Sequence, residues 1–373
     1  MKILFPFVGD SVGGSHLSSL ELIKTLRANK YEVVILLHNS NGPLSELLKK
    51  LKVEYEVIQI RYLAGQSPNK LMILLGMIIN IFPLAKFIKK NSIDIVHGND
   101  LRINLTWSLA TLISKAKYIW HQRTILSGSK FWKGINILCD HFIGISQVVI
   151  DSAPNNISVF KKSMVYNAFE TDVKYDKELS KNLIKKNISR SENVLFLGCV
   201  GRLVKYKNVD FVISSISQII RTSNIPIHLL IVGNGTDEYT TYLKSLVKKL
   251  DLQDYVSFTG FLSNSSEIIS GLDILIAPSS RDAFGRTIIE AMLQSTTVLV
   301  ANKGGHKEIV EDGFDGFTYK SNCEKSFINK VTELIENESL RNELANRALE
   351  KSSSKYSRQS QFKAIDKIYK LTQ

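Results

Sequence analysis

Asp282 and Glu290 lie eight positions apart, with Phe284-Gly285-Arg286 between them. The apolar run Ile274–Ala277 stops just upstream at Pro278-Ser279-Ser280, and Ile288, Ile289, Ala291, Met292 and Leu293 follow with helical spacing. The layout is strand, loop, helix, with one carboxylate in the loop and one in the helix's second turn. Two such carboxylates can form an acid/base pair or accept hydrogen bonds from hydroxyl groups. Gly285 lets a backbone come close to a ligand. The helix start at Arg286 offers free N–H groups and a positive dipole end to an anion. The stretch outlines a pocket for a phosphate on one side and hydroxyl-bearing groups on the other. Acids at a helix start also serve as caps, so the rest of the chain has to decide between these roles.

Arg202 and Lys207 follow an apolar run at 194–200 in the sequence Gly201-Arg202-Leu203-Val204-Lys205-Tyr206-Lys207. Two fixed cations at a strand end suit a diphosphate: Arg grips oxygens bidentately and Lys adds a point charge. Gly233-Asn234-Gly235 follows the next strand, either as an ordinary turn or as a point of close backbone approach to a ligand. It does not begin a full G-x-G-x-x-G fingerprint, and neither does Gly9. Lys303-Gly304-Gly305-His306-Lys307-Glu308 again places glycines and ionisable groups after a strand. In the first half, Gly13 and Gly14 open the helix after the first strand, and His121 ends another strand.

These residues need a scaffold that brings strand ends together. Strands are expected at 2–8, 32–38, 54–60, 94–97, 117–121 and 142–146, then at 194–200, 228–232, 256–259, 274–277 and 297–301. Helical patterns fall between them, at 16–28, 209–221, 237–250, 266–270 and 286–294. Alternating strands and helices imply doubly wound parallel sheets, which bind ligands at the carboxyl ends of their strands. A chain of 373 residues is long for one core. The expected division is an α/β domain at 1–170, a polar linker at 171–192, a second α/β domain at 193–350 and a terminal helical segment at 351–373. A cleft between two such domains is the first place to look for a ligand.

Composition narrows the setting. Hydrophobic residues make up 44% and charged residues 22%, as in ordinary globular proteins. Cys139, Cys199 and Cys323 are too few and too scattered for a disulfide framework or a metal cluster, which implies a reducing compartment. The apolar run at 3–8 is too short for a signal peptide, so a cytoplasmic location is expected. The net charge is +13, and residues 1–170 carry 20 Lys/Arg against 11 Asp/Glu, the more basic half. Such a surface attracts anions: phosphorylated substrates, anionic lipid or nucleic acid.

The ordered set Gly13-Gly14, His121, Gly201-Arg202-Leu203 with Lys207, Gly233-Asn234-Gly235, Asp282 to Glu290, and Gly304-Gly305 with Glu308 closely resembles the retaining family 4 glycosyltransferases of the GT-B fold. The resemblance spans most of the chain and is strongest over 195–320. It implies two facing Rossmann-like domains and a nucleotide-sugar donor held mainly by the second. Arg202 and Lys207 would neutralise the donor diphosphate, helped by the helix start at Gly285-Arg286. Glu290 would bind the ribose hydroxyls and Asp282 the donor sugar. Gly13 and Gly14 would let the first domain's loop approach the diphosphate, Gly233 would serve the donor pocket, and His121 would lie near the reacting sugar. The resemblance implies no metal and no other cofactor. Two positions depart from the pattern: Asp282 replaces the usual Glu, and Ala168 stands where Gly is common.

The resemblance to bacterial surface-polysaccharide enzymes implies a glycan or lipid-linked acceptor. Residues 71–82 form a 12-residue apolar core followed by Lys86, Lys89 and Lys90. That core is too short to span a bilayer; it fits either a buried helix or peripheral contact with an anionic membrane. Lys130-Phe131-Trp132-Lys133 is a second segment suited to a lipid interface. Two other classes compete: a GT-B-fold nucleotide-sugar epimerase, and a non-enzymatic anion or nucleic-acid binder. No nucleic-acid motif is present, and basic residues are not interleaved with stacking aromatics.

Overall fold

The computed structural model describes residues 1–63, 69–126, 138–188, 194–262 and 264–373. The chain divides into two compact units, Met1–Phe169 with Arg358–Gln373, and Glu170–Ser357.

The first unit holds a seven-stranded parallel sheet. Its strands are β1 (Lys2–Phe7), β2 (Glu32–Leu37), β3 (Glu56–Val57), β4 (Ile95–Gly98), β5 (Lys117–Gln122), β6 (His141–Gly144) and β7 (Lys162–Met164), in the order β3-β2-β1-β4-β5-β6-β7. β1, β4, β5 and β6 are almost wholly buried, as expected for strands covered on both faces. The stretch expected at 54–60 contributes only the two-residue β3. The edge strand β7, Lys-Ser-Met, carries no apolar alternation that could have announced it.

The second unit holds a six-stranded parallel sheet. Its strands are β8 (Leu195–Val200), β9 (Ile227–Val232), β10 (Val256–Gly260), β11 (Ile274–Ala277), β12 (Thr297–Ala301) and β13 (Phe317–Tyr319), in the order β10-β9-β8-β11-β12-β13. Each sheet reverses its winding once, between β1 and β4 in the first and between β8 and β11 in the second. Ligands of doubly wound sheets bind outside such switch points.

Two expected boundaries move. The stretch 171–192 is more than a linker: Lys177–Asn187 is a helix capped by Asp176, and its Ile184 is fully buried. Lys181 and Lys177 reach the buried Asp273 at 3.0 and 3.6 Å, which fastens this helix to the second unit. At the other end, the helix Glu338–Lys355 runs past position 351 within the second unit. There Ser352 is buried and Lys351 binds Asp315. The helix that joins the first unit is Arg358–Thr372. Arg358 pairs with Glu21 at 2.7 Å, and Ile365, Ile368 and Tyr369 enter the core around β1 and β2.

By length and composition, Leu71–Lys90 is a 20-residue stretch able to cross a membrane, with mean hydropathy 2.2, which corrects the shorter reading of 71–82. It folds as two ten-residue helices, Lys70–Ile79 and Ile81–Lys90. Each is about 15 Å long, half the thickness of a hydrocarbon core. Asn80 sits at the junction, buried, its amide donating to the Arg61 and Gly76 carbonyls at 2.7 Å. Ile73, Met77, Leu84 and Ile88 face the core, while Leu71, Leu75, Ile78, Ile79 and Phe82 are exposed. The Lys130-Phe131-Trp132-Lys133 segment lies outside the described residues.

Candidate functional site

The carboxyl ends of β8 and β11 meet at the switch point of the second unit, and the residues singled out by sequence converge there. The loop after β8 carries Arg202, Tyr206 and Lys207; the loop after β11 carries Ser279, Ser280 and Asp282. The two loops are joined: Ser280 N–H donates to the Tyr206 carbonyl at 3.0 Å, and both serine hydroxyls reach the same oxygen. Lys207 Nζ lies 2.7 Å from Asp282 Oδ2, a contact between residues 75 positions apart. His306 Nε2 lies 3.0 Å from that same oxygen. Burial resists ionisation of Asp282, but the His306 hydrogen bond and the Lys207 charge outweigh it and hold the carboxyl well below its ordinary range. Asp282 is therefore a fixed anion at neutral pH.

Arg202, Lys207, Ser279, Asp282 and Thr287 line one small recess. A cavity of about 590 Å³ adjoins it, sharing Val200, Gly201, Arg202 and Thr287 and extending to Val232, Gly233, Asn234 and Phe261. The lining changes from charged at the recess to mainly apolar at Val204, Val232, Phe261 and Leu262. Such a site offers a phosphate-sized pole and a flat apolar pole. The helix Arg286–Leu293 starts beside it, with Gly285 as its N-cap. Arg286 pairs with Glu290 across one turn at 3.3 Å, so the Glu290 carboxylate is steered by its own helix. The two carboxylates of this stretch are not a pair; each has its own cation.

The glycines have different reasons from those expected. At Gly233, φ is +133° and an added Cβ would run into the Gly201 carbonyl, so the constraint is the packing of the loop after β9 on the loop after β8. Gly285, at φ +147°, abuts Ile288, Ile309 and the His306 ring rather than open space. An added Cβ at Gly13 would meet nothing within 4 Å, and Gly14 is the first residue of the helix Gly14–Ala28.

His121 ends β5 in the first unit and is fully buried. Its tautomer follows from its neighbours. Among the described residues the buried Tyr369 hydroxyl has one hydrogen-bond partner, His97 Nδ1 at 2.6 Å, and must donate to it to avoid a stranded O–H. His97 Nε2 then carries the proton and donates to His121 Nδ1 at 3.0 Å. Arg123, a donor only, also faces His121 Nδ1 at 3.5 Å, which requires Nδ1 to be an acceptor. The proton of His121 is therefore on Nε2, a buried atom without a hydrogen-bond partner. Burial, then the Arg123 charge, hold both histidines well below the ordinary imidazole range, so both are neutral. His121 is an N–H donor rather than a base.

The sequence showed His306, Thr287 and Tyr206 only as members of longer runs, His97 as a strand end and Tyr369 as part of an apolar pattern, and gave no role to Arg123. A shortened acid at 282 together with a histidine directly after Gly304-Gly305 was the one available signal for the first of these.

A doubly wound pair of Rossmann-like units with a cationic switch point defines the GT-B class, and solved structures agree. Anabaena HepE in complex with UDP has the same fold, with a TM-score of 0.85 over 100% of both chains at 20% identity. The family model for group 1 glycosyl transferases matches residues 180–351, and that for glycosyltransferase family 4 matches residues 12–172. Together these cover most of the sequence, and the chain belongs to this glycosyltransferase family. Among curated relatives, N-acetyl-alpha-D-glucosaminyl L-malate synthase of Bacillus anthracis is 27% identical over 50% of this chain and 47% of its own length, so the chain matches about half of that relative. The O-antigen biosynthesis glycosyltransferase WclY of Escherichia coli is 24% identical over 81% of this chain and 80% of its own length.

Proposed function

We propose that the chain is a retaining hexosyltransferase of surface-polysaccharide synthesis, with a nucleotide-sugar donor bound by its second unit. The observation that carries this reading is the convergence of Arg202, Lys207 and Asp282 on one recess that opens into the larger apolar-walled cavity. Arg202 and Lys207 neutralise the diphosphate, including the charge that grows as it departs. The helix start at Gly285-Arg286 adds its dipole, Glu290 accepts from the ribose hydroxyls, and Asp282 accepts from a hydroxyl of the sugar. The apolar cavity beside Gly233 and Phe261 suits the flat base. By the family resemblance, Gly13 and Gly14 serve the diphosphate and His121 lies near the reacting sugar. The bond from the sugar's anomeric carbon to the phosphate oxygen breaks and an acceptor oxygen bonds to the same face. The acceptor's proton passes to the departing phosphate. These cations do the charge neutralisation, and no metal is assigned to the reaction.

The work named for relatives such as WclY supports a polysaccharide acceptor, and HepE, solved with UDP and with UDP-glucose, supports uridine diphosphate sugars as the first donors to test. The acceptor in this reading is a glycan on a lipid carrier at the cytoplasmic face of the membrane. The exposed stripe Leu71, Leu75, Ile78, Ile79 and Phe82, followed by exposed Lys86, Lys89 and Lys90, would rest on an anionic bilayer.

A thermal-shift screen with UDP-, GDP- and ADP-sugars tests the donor site. One donor should raise the melting temperature, and Glu290→Ala should abolish that rise; unaltered donor binding by Glu290→Ala would remove Glu290 from the site. Turnover should survive treatment with EDTA. Flotation with anionic liposomes tests the membrane contact, which is lost if the protein stays behind at low salt.

A further inference from the structure

The family pattern puts a longer acid where this chain has Asp282, and the structure holds a second feature at the same place. His306, 1% exposed in its side chain, donates from Nε2 to Asp282 Oδ2 at 3.0 Å. Its loop is clamped to the Asp282 loop by the Gly305 N–H, which donates to the Asp282 carbonyl at 2.9 Å. At Gly304 an added Cβ would come within 2.6 Å of that carbonyl, so no side chain fits between the loops. Lys207 binds the same carboxylate oxygen, Oδ2, at 2.7 Å. No protein donor holds Oδ1 among the described residues.

Two donors on one oxygen have different fates when a diphosphate arrives. Lys207 lines the recess and is drawn to the anion, weakening its hold on Asp282. His306 is buried and cannot follow the ligand. We propose that His306 is a positioning residue that keeps Asp282 in place in the donor-bound state, so that Oδ1 is presented to a hydroxyl of the donor sugar. The histidine supplies by restraint what the shorter acid lacks in reach. Without it, Asp282 would lose the orientation that presents Oδ1 to the sugar. This inference rests on the donor-site reading above.

In this reading Asp282 serves the sugar and not the nucleotide, which separates the two readings. The nucleoside diphosphate that binds wild type, taken from UDP, GDP and ADP, is titrated into His306→Ala and His306→Gln, and turnover of the matching nucleotide sugar is followed. Nucleotide affinity should stay within about threefold, which also shows that the variants fold. Turnover should fall about 10- to 100-fold in His306→Ala, the usual cost of a misplaced reacting geometry. His306→Gln, whose amide N–H can occupy the place of the imidazole Nε2–H, should recover most of it. Asp282→Glu should be impaired beside His306 and improve when combined with His306→Ala, because the longer acid needs the vacated space. Full turnover in His306→Ala, no recovery in His306→Gln, or additive losses in the double variant each overturn the inference while leaving the donor site standing. A wild-type protein that binds none of the three nucleotides overturns both.

Discussion

At the switch point of the second unit, Arg202 and Lys207 stand on a recess beside an open cavity. At the switch point of the first, Arg102 in the first turn of the helix after β4 (Leu101–Ser114) is already paired with Asp10 from the loop after β1, at 2.6 Å. Arg123 is buried there against the amide oxygens of Asn167 and Asn99, and the ring nitrogens of His97 and His121 point at one another. The two sheets reverse in the same way, yet Arg202 of the second makes no ion pair among the described residues, while Arg102 of the first is held by Asp10. Net charge does not locate the anion site: residues 1–170, the more basic half of the sequence, hold the self-paired switch point. The difference teaches that the first unit offers neutral hydrogen-bond donors and the second offers charge.

The sharpest test of that contrast removes one cation from each side. Lys207→Ala should lower kcat/KM by about 10³-fold, and Arg202→Ala by about 10²-fold, as expected for groups facing charge that develops in the transition state. Arg102→Ala should change kcat/KM less than about threefold. Steady-state kinetics with the donor found in the thermal screen reads all three. Equal losses in Lys207→Ala and Arg102→Ala would end the comparison.

Acid should act on the first unit earlier than on the second. His97 and His121 are buried and held well below the ordinary imidazole range, and burial lowers His38 to about 4. Unfolded histidine takes up a proton near pH 6.5, so below that value the unfolded state binds more protons and stability falls with pH. Each such histidine contributes up to about 1.4 kcal/mol per pH unit, and the three together about 2 kcal/mol between pH 7 and pH 6. Asp282 behaves oppositely in position: its depressed value stabilises the second unit above its unfolded range near 3.8 and is lost only as pH falls below it. All three tryptophans, Trp107, Trp120 and Trp132, fall in the sequence of the first unit. Tryptophan fluorescence should therefore melt earlier at pH 6 than at pH 7. The donor-induced thermal shift of the second unit should persist. Coincident acid shifts in both signals would refute the separation.

The relay behind His121 gives a smaller effect. Tyr369→Phe removes the one hydrogen-bond donor to His97 Nδ1 among the described residues, so the Nε2–H tautomer of His121 is no longer enforced. Turnover should drop about tenfold with nucleotide affinity unchanged, and stability should fall by about 1–2 kcal/mol for the stranded nitrogen. Nitrogen chemical shifts of His121 that report an Nδ1–H tautomer in the wild type would reverse the assignment.

How much of this was legible beforehand varies by residue. The long central strands were, because Ile274–Ala277 and Thr297–Ala301 are unbroken apolar runs. The edge strands β7 and β13 were not, because three residues such as Lys-Ser-Met carry no periodicity. Arg202, Lys207 and Asp282 could be named from strand-end position, but the Lys207–Asp282 contact joins residues far apart in sequence and only the sheet order β8-β11 creates it. The His97–His121–Tyr369 chain was invisible for the same reason: Tyr369 arrives from the end of the chain, 272 residues away from His97. The glycines were found, but a sequence shows where a side chain is missing and not which neighbour needs the room.

The Asp10–Arg102 pair should have the smallest effect of all, and it sharpens the comparison from the other side. Its side chains are 40% and 31% exposed, so solvent screens the pair, and exposed ion pairs contribute about 0.2–1 kcal/mol. The bidentate geometry, with Arg102 donating to both Asp10 oxygens at 2.6 and 2.9 Å, places it in the upper part of that range. Asp10→Asn should lower the tryptophan-detected melting temperature by a few degrees at low salt and by less at high salt. Nucleotide binding by the second unit should not change. If the pair were instead a reserve of charge for the donor, freeing Arg102 would tighten nucleotide binding. A salt-sensitive gain in nucleotide affinity in Asp10→Asn would then show that the first unit's switch point also addresses the phosphate, and its self-pairing would have to be read as a resting state.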